Sequence, residues 1–285
     1  MPPQYRRFGG RGYPWAMANT NSNEKVWSEY DWSRGGDEWS RGWGGPEYQW
    51  SGMLYPRLRE FLPAGTILEI APGYGRWTHY LLPLCDRLVG VDIAPNCVEA
   101  CRGRFADQPH ATFQKNDGLT LDMMGDGEVD FAVSIDSLVH CDAYIVESYI
   151  GELARTLSAD GVAFLHHSNL EEYLDPDTGE LPFENTTWRG KSMSARLFED
   201  YCGEAGLLCI GQEKLRWLER DDWFRDCLSM LTRPGSRFAR ANRVIENRDY
   251  PAQAAAMAEL AGFYGPAGWA EAPRRSPTTS NPSLP

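Results

Sequence analysis

A short apolar segment that runs into a glycine-containing turn most constrains the fold of this chain. Residues 67–70 (ILEI) have the composition of a buried strand, and residues 71–75 (APGYG) form the turn. In an open α/β sheet, ligands bind in the crevice beyond the carboxyl ends of the strands. Gly73 and Gly75 stand where a Cβ would block a ligand near the backbone, or where φ is positive. Glu69 is expected to direct its carboxylate into the same crevice.

A second apolar segment, residues 87–92, ends in an acid, Asp92. It lies about twenty residues after the glycine turn, the offset at which an acid at the tip of the second strand accepts from a ribose diol. The glycine turn alone would also fit an ordinary tight turn. The turn and the spaced acid together indicate a ligand that contains a ribose.

Apolar segments alternate with helical segments along the middle of the chain, which predicts a doubly wound, mostly parallel α/β sheet. After the first two strands, the predicted strands are residues 111–115, 129–136, 162–169, 207–217 and 227–232. The helices expected between them are residues 95–105, 144–157 and 194–205. Seven strands result, the last of them antiparallel. Residues 170–192 lack a hydrophobic period, so we expect an insertion after the fifth strand, over the mouth of the site.

The two ends of the chain differ from its centre. Residues 1–23 are predicted to be a disordered tail, and residues 251–285 a final helix followed by another disordered tail. Residues 24–59, here called the tryptophan segment, lead into the domain of residues 60–250. Large aromatic side chains in a polar segment are unfavourable in water. The tryptophan segment is therefore expected either to anchor the N-terminus as a fixed belt or to act as a lid over cofactor and substrate.

Composition and charge exclude several classes of partner. The 285 residues carry a net charge of −12, which opposes the phosphate attraction that nucleic-acid binding needs. The chain has no run of about 20 apolar residues, so no membrane span is expected. Seven cysteines, an odd number, without a zinc-binding pattern indicate free thiols in the cytoplasm. A small molecule is the expected partner, and the sequence leaves the oligomeric state open.

The order of these motifs resembles that of the class I S-adenosylmethionine (SAM) methyltransferases over roughly residues 60–235. Their first motif is usually written acidic-x-Gly-x-Gly-x-Gly. Here Glu69, Gly73 and Gly75 match it, and Ala71 stands at the first glycine, which is a departure. The resemblance implies a Rossmann-like methyltransferase fold, SAM as cofactor and S-adenosylhomocysteine as product.

The resemblance also implies which residues contact the cofactor. They are Glu69, Ala71, Gly73, Gly75, Arg76, Trp77, Asp92, Ile93, Asp117, Gly118 and Ser134. Asp117 would accept from the adenine amine, although an Asp-Gly pair also fits a plain turn. Arg76 would lie near the methionine carboxylate, with a surface charge at a helix N-terminus as the alternative.

Three histidines and one acid lie at or just beyond the ends of the fourth and fifth strands. They are Asp136, His140, His166 and His167. A hydroxyl acceptor loses its proton as it attacks, so a nearby base helps, and histidine is the usual one. We expect His140 to be the base, with His167 as second choice or as a substrate ligand. Adjacent strand residues point to opposite faces, so only one of His166 and His167 faces the pocket. Asp136, a fifth-strand histidine and an added carboxylate would suit Mg²⁺, but no metal site is favoured.

The acceptor is constrained less than the cofactor. The aromatic N-terminal segment and the fifth-strand end (HHSN, residues 166–169) are similar, more loosely, to those of bacterial methyltransferases of sugars and specialised metabolites. O-methylation of such a hydroxyl, as in natural product biosynthesis, is the favoured function. C- or N-methylation of an aromatic natural product such as an indole is the alternative.

Two other classes of protein remain open. One is a SAM-binding partner protein without catalysis, although Glu69 and Asp92 are both present. The other is a dinucleotide oxidoreductase, which shares the type of fold. It would keep the first glycine, which Ala71 replaces, and it would need a second glycine-rich strand turn, which we do not find.

Overall fold

An eight-stranded sheet forms the centre of the computed structural model, which describes residues 19–217 and 222–265. The strands are β1 (Ala64–Ile70), β2 (Cys85–Asp92), β3 (Ala111–Lys115), β4 (Val129–Ser134), β5 (Leu157–Ser168), β6 (Leu208–Arg216), β7 (Phe224–Thr232) and β8 (Val244–Asn247). Their order in the sheet is β3-β2-β1-β4-β5-β7-β6-β8, and β7 runs antiparallel to both of its neighbours. The prediction of a doubly wound, mostly parallel sheet with one reversed strand is confirmed.

The strand count differs from the prediction by one. Strand β8 pairs in parallel with β6 at the edge of the sheet, and its side chains are mostly exposed. A four-residue edge strand without a buried face has no hydrophobic period, so the sequence did not reveal it. In addition, residues 158–161, which lie between the predicted helix and the predicted fifth strand, belong to β5, near the point where the register of the β4–β5 pair shifts.

Eight α-helices connect and flank the strands. They are α1 (Thr20–Glu29), α2 (Pro46–Gln49), α3 (Tyr55–Leu58), α4 (Thr78–Leu81), α5 (Pro95–Arg104), α6 (Ala143–Thr156), α7 (Ala195–Glu204) and α8 (Tyr250–Tyr264) among the described residues. Helix α1 begins at Thr20, with the Asn19 side chain accepting from the Ser22 backbone N–H. The tail predicted for residues 1–23 therefore extends too far, because residues 20–23 are helical. Residues 1–18 and the predicted tail at 272–285 lie outside the described residues. No helix of the described part is long and apolar enough to cross a membrane.

The two faces of the sheet carry separate hydrophobic layers, and β5 shows how the strands divide between them. Ala163 and Leu165 pack with the layer of α6 and α7. Val162 and Phe164 pack with the opposite layer, which contains side chains of α3, α4 and α5. Because side chains alternate along a strand, the next two positions of β5, 166 and 167, also point to different faces.

The order of the strands reverses beside β1. The chain passes from β1 to β2 and β3 on one side and then returns to place β4 on the other side. A ligand crevice in an open α/β sheet is expected at this point, beyond the carboxyl ends of β1 and β4.

Candidate active site

A cavity lies at that point, between the glycine turn and the tryptophan segment. Strand ends, the turn and the start of α6 supply one wall, and α1 with the loop after it supplies the other. The predicted site residues that line the cavity are Glu69, Ala71, Gly73, Arg76, Trp77, Asp92, Ile93, Gly118 and Asp136. The predicted residues Gly75, Asp117, Ser134, His140 and His167 are not among those that line it.

The glycine turn has left-handed backbone at alternate residues. The φ angles are 58° at Ala71, 59° at Gly73 and 79° at Gly75. A Cβ on Gly73 would come within 2.9 Å of the Trp32 ring, so glycine lets this tryptophan cover the turn. A Cβ on Gly75 would clash with Phe105 of the α5 side, so this glycine serves packing below the cavity.

Two buried carboxylates stand at the ends of β1 and β2. Glu69 accepts a 2.5 Å hydrogen bond from the Thr78 hydroxyl, and burial raises its pKa to about 7. Asp92 accepts from the backbone N–H of Gly73 at 3.0 Å and of Ala94 at 2.9 Å, and burial raises its pKa to about 6. Each oxygen of a carboxylate has two acceptor positions, so Asp92 retains capacity for a diol.

At the tip of β3, Asp117 is exposed, and its carboxylate accepts from the backbone N–H groups of Leu119 and Thr120, which closes its own loop. These bonds use Oδ1 of the carboxylate, so the adenine contact of Asp117 stays a prediction, and Gly118 does line the cavity. The neighbouring Asn116 is buried and donates to the hydroxyl of Tyr149, a cavity residue.

The Ser134 prediction is not supported by position. This residue ends β4 and is buried, and its hydroxyl has no hydrogen-bond partner in the described part of the chain. It does not line the cavity, so we assign it no cofactor contact.

Arg76 and Asp136 form an ion pair in the wall of the cavity. The guanidinium donates to the Asp136 carboxylate at 2.6 Å and to the Ser40 hydroxyl at 3.1 Å, and it lies 4.4 Å from the centre of the Trp77 ring. Asp136 has a φ of 59°, in the left-handed region. Burial favours the protonated carboxyl, but Arg76 and His166 outweigh it and hold the pKa of Asp136 well below its usual range.

His166 contacts Asp136 of this ion pair from deeper in the protein. Its Nδ1 lies 3.1 Å from the Asp136 carboxylate and 3.2 Å from the Asp136 backbone nitrogen, and its Nε2 lies 3.2 Å from the carboxylate of Asp226 in β7. Burial opposes the charged ring, but the two carboxylates raise the pKa of His166 to about 9. Arg189 of the insertion donates to both oxygens of Asp226, at 2.8 and 2.7 Å. We call Arg76, Asp136, His166, Asp226 and Arg189 the ion chain.

The ion chain contains the groups considered above for Mg²⁺. Asp136, a fifth-strand histidine and a further carboxylate do lie together, but they bond to one another. Within residues 19–217 and 222–265, no group of three or more His, Cys, Asp or Glu side chains is arranged to hold a metal ion.

His140 lies behind the tryptophans of the cavity. Its ring is buried and contacts Trp27, with 5.3 Å between ring centres. Nδ1 lies 3.1 Å from the backbone carbonyl oxygen of Trp188, which can only accept, so Nδ1 carries the proton of the neutral ring. Burial, followed by the charge of Arg189, lowers the pKa of His140 to about 4. The ring is therefore neutral near pH 7, with Nε2 as its free acceptor.

His167 points away from the cavity. It stacks on Phe198 of α7 with ring centres 4.8 Å apart, and its nitrogens bond the Ser168 carbonyl and the Ser229 hydroxyl, both at 2.8 Å. Its selection as second base is wrong, because the alternation of β5 turns His166 toward the site instead. The sequence argument allowed only one of the pair and chose the wrong one.

The tryptophans of the tryptophan segment fall into two groups with different contacts. Trp27, Trp32 and Trp39 line the cavity, and Trp32 stacks on Tyr74 of the glycine turn at 4.8 Å. The later two tryptophans, Trp43 and Trp50, are buried in the hydrophobic layer. The first part thus covers the cavity and the second part anchors the segment to the domain.

Sequence reasoning missed Arg189 and Asp226, and it named His166 only as the alternative to His167 and as one fifth-strand histidine that would suit Mg²⁺. A signal for Asp226 was present, because an acid inside an otherwise apolar strand is almost never buried without a partner. The predicted last strand began at residue 227 and left this acid out. The partners of Asp226 come from β5 and from an insertion without periodicity, so no local pattern identifies them.

Part of the chain is similar in sequence to known methyltransferases. Residues 67–161 match a family model described as a methyltransferase domain. Curated relatives include the ribosomal RNA small subunit methyltransferases A of Geobacter sulfurreducens, 39% identical over 70 residues, and Coxiella burnetii, 39% identical over 57 residues. These matches cover 24% and 20% of this chain. The chain spans only 25% and 22% of the length of those relatives.

Solved structures share the fold at low sequence identity. A Haloferax volcanii methyltransferase, solved in complex with the Trm112 methyltransferase activator, is 17% identical, with a TM-score of 0.52 over 73% of this chain and 96% of that one. A SAM-dependent methyltransferase from Clostridium acetobutylicum is 14% identical, with a TM-score of 0.51 over 66% and 92%. A geranyl diphosphate methyltransferase in complex with SAM is 13% identical, with a TM-score of 0.51 over 64% and 85%.

Residues 67–161 are thus similar to a methyltransferase domain, and the described part of the chain shares the fold of these methyltransferase structures. The cavity fits SAM, the cofactor expected from the sequence, by its donor set. Asp92 and the Gly73 turn stand at the end of β2, and apolar Ile93 with the backbone of Gly118 lies beside them. Arg76 supplies a cation at the opposite side of the turn.

Proposed function

We propose that this protein transfers a methyl group from SAM to a small, ring-bearing molecule bound beneath the tryptophan segment. The observation that carries this proposal is one cavity shared by two groups of residues. The buried acids of the β1 and β2 ends line it from one side, and Trp27, Trp32 and Trp39 line it from the other. Aromatic rings stack on sugar and aromatic faces, and they exclude water from the reacting centre.

Bound SAM supplies an electrophilic methyl group on a sulfonium. The residues of this chain bind and orient the reactants around it. Asp92 and the Gly73 turn are assigned to the ribose, and Arg76 to the methionine carboxylate. Alignment and exclusion of water are the main requirements of such an in-line transfer.

We propose a hydroxyl of a sugar or specialised metabolite as the acceptor, with His140 as the base. Of the three histidines near the sheet edge, His166 and His167 have both ring nitrogens engaged. His140 has one nitrogen fixed by the Trp188 carbonyl, and the other has no hydrogen-bond partner among the described residues. Its ring contacts Trp27, and its neighbours Leu138 and Cys141 line the cavity.

One observation favours a second candidate. The pKa of His140 is lowered to about 4, which makes the ring a weak base near pH 7. A carbon or amine nucleophile needs no strong base. C- or N-methylation of an aromatic metabolite such as an indole is therefore the alternative.

The names of the curated relatives suggest ribosomal RNA as a further acceptor. The net charge of −12 opposes binding to a polyanion, and the matched region is short. We therefore propose no nucleic-acid substrate. A cytoplasmic location remains our inference from the seven free cysteines, six of which are buried.

Calorimetric titration with S-adenosylhomocysteine and, separately, with NAD tests the cofactor. We expect binding of the first near micromolar and no binding of the second. Binding of NAD alone would overturn the proposal. Binding of neither would favour a partner protein that completes the pocket. The Haloferax volcanii methyltransferase was solved in complex with an activator.

The acceptor and the base are tested by turnover. Hydroxyl-bearing sugars and glycosides, aromatic amines and indoles are screened with methyl-labelled SAM. For a hydroxyl acceptor, H140A should lower kcat about 100-fold or more, the usual scale of general-base loss, while affinity for S-adenosylhomocysteine stays unchanged. A fully active H140A enzyme would reject the base and favour carbon or amine attack.

A further inference from the structure

The ion chain is a continuous buried array that reaches the cavity at one end only. Charges alternate in sign along it, and the four contacts between neighbours are 2.6, 3.1, 3.2 and 2.7 Å long. His166 and Asp226 at its centre are fully buried, and neither lines the cavity. Buried charges of this kind persist only when each is paired and hydrogen-bonded.

One end of the ion chain shapes the cavity wall. Asp136 and Arg76 both line the cavity, and Asp136 holds a left-handed backbone with φ of 59°. A residue other than glycine keeps such a conformation only where its surroundings hold it. The Nδ1 contact of His166 to the Asp136 carboxylate is one of these restraints, and the Arg76 contact is the other.

The other end of the ion chain reaches His140. Arg189 binds Asp226 with two parallel hydrogen bonds, a geometry that fixes direction as well as distance. The residue before it, Trp188, also has a left-handed φ, 54°, and its carbonyl accepts from His140 Nδ1. The pairing of Asp226 with Arg189 therefore fixes the dipeptide that orients His140.

We propose that Asp226 and His166 are positioning residues for methyl transfer. Through Asp136 they hold the Arg76 guanidinium against the cofactor region, and through Arg189 and Trp188 they hold the ring of His140. This proposal rests on the proposed function, since it assigns the two ends to the cofactor and to the base. In this proposal the insertion after β5 orients the base, through Arg189 and Trp188.

The pH at which His166 loses its proton depends on the charged groups around it. The groups that interact with it directly are Asp136, Asp226, His167 and Glu213. The charged or titratable groups that interact with these in turn are Arg76, Arg189, His140, Arg57 and Tyr250. Of these, only Asp136 and Asp226 bond its ring. Removing the charge of Asp226 should therefore release the proton of His166 at a lower pH.

The test is calorimetric affinity for S-adenosylhomocysteine between pH 6.5 and 8.5, in the wild type, D226N and H167N. We expect the same profile for the wild type and for H167N, a matched control that alters the equally buried neighbour on the other face. The Glu69 and Asp92 carboxyls, with pKa values of about 7 and about 6, contribute to the profile equally in all three proteins. Relative to the wild type, D226N should bind progressively more weakly as pH rises, by roughly five- to tenfold at pH 8. A D226N protein that folds and shows the wild-type profile would overturn the proposal. Failure of the wild type to bind would instead reject the proposed function.

A second variant covers the case in which D226N does not fold. Arg189 lies in the insertion, and R189K keeps its charge but loses the paired hydrogen bonds. The imidazole C2–H signals are then compared by NMR at pH 7. In R189K, the His140 signal should shift and broaden, because the Trp188 carbonyl no longer holds Nδ1 in one orientation, while the His167 signal stays unchanged. An unchanged His140 signal would show that the ion chain does not orient this ring.

Discussion

The two sides of the cavity are built from different kinds of contact. On the turn side, consisting of Glu69, Thr78, Gly73 and Asp92, the hydrogen bonds join residues 9 and 19 positions apart. On the side of the ion chain, the contacts join residues 60, 30, 60 and 37 positions apart. The turn side is thus set by local backbone geometry, and the ion chain by the packing of distant strands and an insertion.

The turn side and the ion chain should respond differently to substitution. On the turn side, removing a carboxylate that accepts from backbone N–H groups loses only the hydrogen bonds of that carboxylate. In the ion chain each charge is buried or mostly buried and is paired on one or both sides, so removal of one member leaves an uncompensated charge next to it. We therefore expect local effects from substitutions in the turn and distributed effects from substitutions in the ion chain.

The largest effect is expected from D92A on the turn side. It removes the acceptor of the Gly73 and Ala94 N–H groups and the group assigned to the ribose. Hydrogen bonds to a charged group are each worth about 1.5–3 kcal/mol, so affinity for S-adenosylhomocysteine should fall about 100-fold. D86A, at the exposed opposite end of β2, is the control and should keep wild-type affinity. Equal affinities in the calorimeter would show that β2 does not end at the cofactor.

The same contrast explains what the sequence could predict. The glycine turn, Glu69 and Asp92 are local in sequence, and their roles follow from strand ends and spacing. The sheet itself followed from alternating apolar segments. His166 and Asp226 meet only through the pairing of β5 with the reversed β7, in which His166 lies opposite Leu228 and Ser168 opposite Asp226. Such a diagonal contact depends on the register, which no local pattern gives.

The choice between His166 and His167 illustrates this limit. The alternation of β5 showed that the two rings separate, but their faces depend on which layer carries α7. Asp117 is the opposite case, because the local sequence was enough to predict its turn. An Asp before Gly closes its own turn with its carboxylate, and here it does so.

A smaller effect, on stability, should identify the ion chain by its pH dependence. The pKa of His166 is raised to about 9, so its contribution to stability is complete below about pH 6.5 and is lost as pH rises through 9. The difference in free energy of unfolding between wild type and H166N should therefore shrink by about 2 kcal/mol from pH 7 to pH 9. Taking the difference removes the titration of thiols common to both proteins.

His167 provides the control for that measurement. Its pKa is lowered to about 4, so its contribution is lost as pH falls from 6.5 toward 4 and is constant above pH 7. Urea unfolding of H167N should show a constant difference from the wild type between pH 7 and pH 9. If H166N does not fold, NMR titration of the wild-type His166 ring checks the same value. A His166 midpoint near 6.5 would contradict the paired imidazolium.

The smallest effect is expected at Ala71, where the chain departs from the glycine motif. Its φ of 58° costs a residue with a Cβ roughly 1 kcal/mol, which glycine avoids. Glycine loses more entropy on folding, so A71G should stabilise the protein by less than about 1 kcal/mol. The same substitution in β5, A163G, removes a buried methyl group from regular strand and should destabilise by about 1 kcal/mol or more. Urea unfolding that gave both variants the same sign would show that the turn is not held in the left-handed conformation, and that the turn side is less local than its hydrogen bonds indicate.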